Sequence, residues 1–266
     1  MSVAEALSLE PWVVATPGLR ARLAERPLGF ARESLRWYDP TRLSSKDLLD
    51  RLERLDELTF GPHGLRMPRW AFYDCAELPG ALFGFGGSPR RFPASVRAAL
   101  PDDDEFTPLS MCMATPMVQP GEWLVFSISS LLALEPGPDD LHLCVETLAF
   151  SLAALAPRRV HGTMQWSSPS LAVHACFAPL EVRAAWVPAH THAATCVFAL
   201  DAAPERLERA LRQPLATKGP GVVVAPEDEP ALRAMQQRIE AGEKLRLVGA
   251  TDTTHDARAR VRWGAE

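Results

Sequence analysis

Leu48, Leu49, Leu52, Leu55 and Leu58 recur at three- and four-residue steps, with Asp47, Asp50, Arg51, Glu53 and Arg54 between them. Side chains at that spacing share one face of a helix, so the stretch predicts an amphipathic helix opening at Ser44-Ser45. It ends before Phe60-Gly61-Pro62, where glycine and proline interrupt the backbone pattern. A second such stripe, Leu141, Val145, Leu148, Leu152 and Leu155, predicts a helix over 139–156, closed by Pro157-Arg158-Arg159. Shorter helices are expected at 94–100, at 168–176 with Ser168 as cap and Pro169 at the first position, at 204–211 and at 230–240.

Between these lie apolar runs bounded by turn residues, the mark of buried strands. They predict strands at 70–74, 81–85, 109–118, 123–134, 160–166, 182–187, 195–200 and 245–248. The turn Leu78-Pro79-Gly80 makes the first two a hairpin, and Gln119-Pro120-Gly121 separates the next two. Residues 1–44, rich in Arg, Pro and Leu, are expected as short helical pieces over a core. The pattern as a whole predicts a mixed α/β fold. Residues 45–201 form its core, 1–44 an N-terminal extension packed on it, and 202–266 a C-terminal extension of helix and strand.

Composition and charge refine this picture. With 266 residues, 47% of them hydrophobic, the chain buries a sizeable core. The net charge of −5 and the absence of a long basic cluster argue against a nucleic-acid face. Of 28 Lys and Arg residues, only Lys46, Lys218 and Lys244 are lysine. Cys75, Cys112, Cys144, Cys176 and Cys196 are odd in number, widely spaced and set in apolar runs, so they read as reduced, buried thiols of a cytoplasmic protein. No signal peptide is expected from the first residues, no apolar stretch is long enough for a transmembrane helix, and no membrane partner is expected.

The chemistry is carried by a resemblance. The order helix, hairpin, two strands, helix, strand, short helix, two strands over about 44–201 resembles the GCN5-related N-acyltransferase (GNAT) fold. That resemblance implies a mixed, splayed central sheet flanked by helices. The more specific likeness is local. After its fifth strand the family carries a short helix with Asn, Ala, Tyr and Gly at set positions, where the Tyr often protonates the departing thiolate of coenzyme A. Here Ser167-Ser168-Pro169-Ser170-Leu171-Ala172-Val173-His174-Ala175-Cys176-Phe177-Ala178 occupies that place, with His174 at the Tyr position and Ala178 at the Gly position. The resemblance thus implies His174 as catalytic general acid, a role a histidine of ordinary pKa can fill. The other reading of His174 is a hydrogen-bonded residue on a packed helix.

The family's pyrophosphate loop is altered. Pro136-Gly137-Pro138-Asp139-Asp140-Leu141-His142-Leu143-Cys144 keeps the proline, but Asp139 stands at the Arg position and Asp140, His142 and Cys144 at glycine positions. Two acids at a helix start repel a pyrophosphate, so ordinary coenzyme A binding is not expected there. An acyl-CoA or other acyl thioester would instead be held by the strand backbone near Ser127, Ser129 and Ser130. Gln165, Trp166 and Ser167, at the end of a strand that borders the acceptor cleft in the resembled fold, are the expected substrate pocket, with Ser129 and His174 beside them.

Other constellations compete with this one. His190, His192 and Cys196, with His174 and Cys176, have zinc-ligand chemistry but no recurring spacing, and no metal is expected. No G-x-S-x-G elbow accompanies the serines. Asp102-Asp103-Asp104-Glu105, Ser88-Pro89-Arg90-Arg91 and Pro157-Arg158-Arg159 read as solvated loop charge. Two functions are left: a divergent acyltransferase-like protein moving an acyl group from a thioester to a small-molecule or protein amine, and a non-catalytic relative. The second would bind a small ligand, a protein partner or a second copy of the chain.

Overall fold

The computed structural model describes residues 2–25, 34–77, 80–101, 105–135, 138–187, 194–202, 206, 210–211, 221–250 and 259–263. The chain is a mixed α/β protein of two compact units, one of residues 1–120 with 125–156, the other of 121–124 with 157–266. The boundaries expected at 44 and 201 therefore fall inside the units, residue 44 in the first and 201 in the second.

The first unit is built on a mixed sheet. Strand β1 (Glu10–Ala15) pairs in parallel with β2 (Arg36–Tyr38) and antiparallel with β3 (Ala81–Gly87). Strand β3 pairs antiparallel with the short β4 (Thr107–Pro108) and with β5 (Ser110–Pro116), and β6 (Glu122–Ser130) follows β5. Residues 1–44 thus supply strands as well as the short helices α1 (Val3–Ala6) and α2 (Pro17–Leu23). Strand β3 is buried along its whole length. Trp12 lies across from Gly84, where a Cβ would come within 2.5 Å of the indole and 2.0 Å of Ser110 O, so only glycine admits this packing.

Helix α3 (Lys46–Phe60) buries Leu48, Leu49, Leu52 and Leu55 of the expected stripe and leaves Leu58 half-buried, and α4 (Arg69–Glu77) follows it. Helix α4 corrects the strand expected at 70–74. Ala71 and Phe72 are buried, Cys75 is half-buried and Trp70 is 64% exposed, a helical spacing that an alternating strand does not produce. The aromatic run supplied β propensity, and the tertiary packing of one helical face overrode it. The hairpin goes with the strand, since β3 pairs with β1 and β5 instead. Helix α5 (Ala94–Ala99) comes as expected, and the strand expected to reach 134 stops at Ser130, before a 3-10 turn at Leu131–Leu134.

Helix α6 (Pro138–Leu155) covers β3 and β5. Phe150 meets Phe83 edge-on at 5.4 Å. Polar groups at this contact are mutually satisfied. Thr147 donates to Leu143 O at 2.8 Å, so across the 2.7 Å contact Ser110 Oγ is the donor to Thr147, while it accepts from Phe85 N–H at 3.1 Å.

The second unit is likewise built on mixed strand pairing. Strand β7 (Arg159–Gln165) pairs in parallel with the first residues of β6, Glu122 to Leu124, and antiparallel with β9 (Thr195–Asp201). Strand β8 (Leu180–Ala184) joins β9 and β11 (Leu245–Ala250), which pairs with β12 (Ala259–Trp263); β12 carries β10 (Val222–Val224). Helix α7 (Ser170–Ala175) packs on β11 and α8 (Glu229–Glu240) on β8. The tail after residue 201 is therefore part of this sheet. The helix expected at 204–211 lies largely outside the described residues.

Candidate functional site

Strand β6 loses its alternation of burial in its middle. Trp123 and Val125 are buried in alternation, Phe126 and Ser127 are both half-buried, and burial resumes at Ile128. The cause is Ser127, whose φ of 50° lies in the left-handed region, an uncommon conformation for a residue with a side chain. Beyond it Ile128, Ser129 and Ser130 are all buried. The parallel ladder with β7 covers only Glu122↔Arg159, Trp123↔Val160 and Leu124↔His161.

The three serines expected to contact a donor differ in what they offer. Ser127 Oγ touches Met67 Sδ at 2.6 Å. Ser129 Oγ is buried with no hydrogen-bond partner. Ser130 Oγ accepts from Leu132 N–H at 3.0 Å and is bonded to Asp140, so it fastens the strand end to the start of α6. Burial pushes the Asp140 carboxyl up to about 6, and its Oδ1 has no partner. Asp139 is exposed, while Pro136 and Gly137 lie outside the described residues.

A carboxylate that the sequence reading passed over stands near this strand. Asp56, on α3, is 0% exposed. Its Oδ2 accepts Met67 N–H at 2.8 Å and its Oδ1 has no partner. Burial pushes its carboxyl up to about 6, against the bond from Met67 and the nearby Arg66 charge; Glu53 adds to the rise. The signal was in the pattern, because position 56 continues the stripe of Leu49 and Leu52 at helical spacing, and a charge on an apolar stripe is the anomaly to look for.

Gln165, Trp166, Ser167 and His174 belong to the second unit. Gln165 is half-buried opposite Thr195, and Ser167 is exposed. Trp166 is turned inward, donating its indole N–H to Ala185 O at 2.8 Å, so its ring packs the unit. His174 is 1% exposed and stacks edge-on against Phe198 at 5.1 Å. Its Nδ1 is 2.9 Å from Ser170 O; a carbonyl only accepts, so the ring proton sits on Nδ1 and Nε2 carries a buried, unpartnered lone pair. Desolvation lowers its pKa to about 4. The ordinary histidine titration assumed for a general acid is displaced, and the ring is neutral at pH 7.

The thiols are held protonated by burial, Cys112 and Cys196 up to about 12, Cys75 and Cys176 up to about 11, and Cys144 well above the ordinary value. They are poor nucleophiles in that form. Among the described residues no group of three or more His, Cys, Asp or Glu is arranged to hold a metal ion; His190 and His192 lie outside them. No described helix is long and apolar enough to cross a membrane. The arginines of the spot at 157–159 are paired, Arg158 with Glu122, and Arg159 with Glu181 and Asp201. No family model, no curated protein and no solved structure matches the chain.

Proposed function

We propose that the chain is a divergent, GNAT-like acyltransferase-like protein that handles an acyl thioester at the bend of β6. The observation that carries the reading is Ser127, a left-handed residue in mid-strand just past the point where the β6 ladder with β7 ends. A left-handed residue within a strand turns its peptide groups away from the regular ladder directions. An N–H turned out of the ladder at this point would suit the carbonyl oxygen of a thioester, which gains negative charge as an amine attacks. In that transfer a C–N bond forms, the C–S bond breaks, and the amine proton leaves with the thiol or to solvent. The stretch α6, β7, α7, β8 and β9 keeps the order helix, strand, short helix, two strands that forms part of the resemblance.

The donor has its own constraint. Asp139 and Asp140 at the start of α6 disfavour a pyrophosphate, so the reading favours a thioester recognised by its acyl and thiol ends. The test is calorimetric titration of the full chain with acetyl-CoA and with S-acetyl-N-acetylcysteamine, which has no phosphates. Ser127→Gly, which keeps the left-handed backbone, should bind the short thioester as the unmodified chain does. Ser127→Val, β-branched and strained at this φ, should lose affinity about tenfold or more. No binding of either thioester at millimolar concentration sinks the reading.

The second reading, a binding module without catalysis, is favoured by one observation, the sealed and neutral ring of His174. The two separate on thiol release. Thioester binding with no free thiol appearing, across a panel of primary amines, supports the module.

A further inference from the structure

The connection between α3 and α4 is pinned to α3 at three points. Leu65 N–H bonds Phe60 O at 3.1 Å, Arg66 bonds Glu53 at 2.8 Å, and Met67 N–H bonds Asp56 Oδ2 at 2.8 Å. The last is the odd one. A carboxylate removed from water with one oxygen unsatisfied is costly, and a leucine would continue the stripe of α3 without that cost. Such a group calls for an explanation. The one hydrogen bond its side chain makes among the described residues goes to the backbone of the residue whose thioether rests on Ser127. Methionine is unbranched, apolar and adaptable, a side chain that shapes an apolar space without polar demands of its own.

We propose that Met67 sets which acyl groups fit beside Ser127, and that Asp56 is the positioning residue that holds it there. The inference rests on the reading of the β6 bend as a thioester site. The thioether fills the space next to the Ser127 hydroxyl, so a short acyl group is accepted and a long one meets the Met67 side chain. Asp56 touches no substrate; it acts by fixing the backbone from which Met67 projects.

The experiment compares S-acetyl- and S-octanoyl-N-acetylcysteamine on the full chain by calorimetry, alongside amide hydrogen exchange at Met67. Met67→Ala should shift preference toward the octanoyl thioester by about tenfold or more, the scale expected when a few methylenes gain room. Asp56→Leu should shift it the same way and speed exchange of the Met67 amide. Asp56→Asn keeps an acceptor oxygen and should restore both toward the unmodified chain, which a merely structural role for the charge does not require. Thioester binding with no change of preference in Met67→Ala overturns the proposal and leaves the thioester reading standing. Absence of thioester binding in every variant overturns both. Should Asp56→Leu fail to fold, a Met67 amide that exchanges in the unmodified chain as fast as in unfolded chain overturns the role of Asp56.

Discussion

Three buried groups, His174, Asp56 and Asp140, lack a partner on one polar atom each, and they make opposite statements about pH. The folded pKa of His174, about 4, lies below the ordinary value of 6.5. Between those values the unfolded chain binds a proton that the folded chain refuses. The neutral ring therefore favours folding fully above pH 6.5, and that contribution is lost as pH falls toward 4, by about 3 kcal/mol. Urea midpoints at pH 7.5 and 4.5 should show a steeper acid loss in the unmodified chain than in His174→Leu. Equal losses would mean that the ring titrates normally. Asp56 behaves in the reverse sense. Its folded pKa is raised to about 6, so its contribution is largest below the ordinary 3.8 and is lost as pH rises through 6. Asp56→Asn should thus raise the melting temperature at pH 8 relative to pH 4, with the difference read by calorimetric melting of both chains.

At the scale of elements, the bend of β6 joins stability to the proposed site. A left-handed serine holds strain of about 1 kcal/mol that glycine does not. Ser127→Gly is expected to melt at or above the temperature of the unmodified chain, and Ser127→Val below it; a stabilised Val variant would place the strain elsewhere. The start of α6 makes a second prediction. Asp139 is exposed, so Asp139→Lys changes charge with little effect on packing. It should raise affinity for acetyl-CoA at low salt, with the gain fading as salt screens it, and leave the phosphate-free thioester unaffected. Sequence reading was sound where one face is apolar over several turns, as in α3 and α6, and where β-branched or aromatic runs are bracketed by turns, as in β7 and β9. It failed at Arg69–Glu77, because Trp70, Phe72 and Tyr73 carry strand propensity while the burial of Ala71, Phe72 and Cys75 is helical. Propensity is local; the face that is buried depends on what packs there.

For the whole molecule, charge argues against polyanions. Arg36, Arg51, Arg54, Arg66, Arg69, Arg158, Arg159, Arg183, Arg233 and Arg238 all stand in ion pairs, on a chain of net charge −5. The chain should pass a heparin column at physiological salt; retention eluting with a steep salt dependence would reveal a basic face. The sequence by itself determined the class of fold, most of the helices and strands, the burial of Cys112, Cys144, Cys176 and Cys196 and the acidic start of α6. These depend on side-chain periodicity and residue type, which neighbours a few positions away are enough to express. The tertiary structure alone decided that β1 lies between β2 and β3, and that β11 continues the sheet at β8. It also decided the left-handed turn at Ser127, the sealing of His174 and the reach of Asp56 to Met67. Each of these depends on contacts between residues distant in sequence, and no local pattern records which distant partner a buried polar atom will find, or that it will find none.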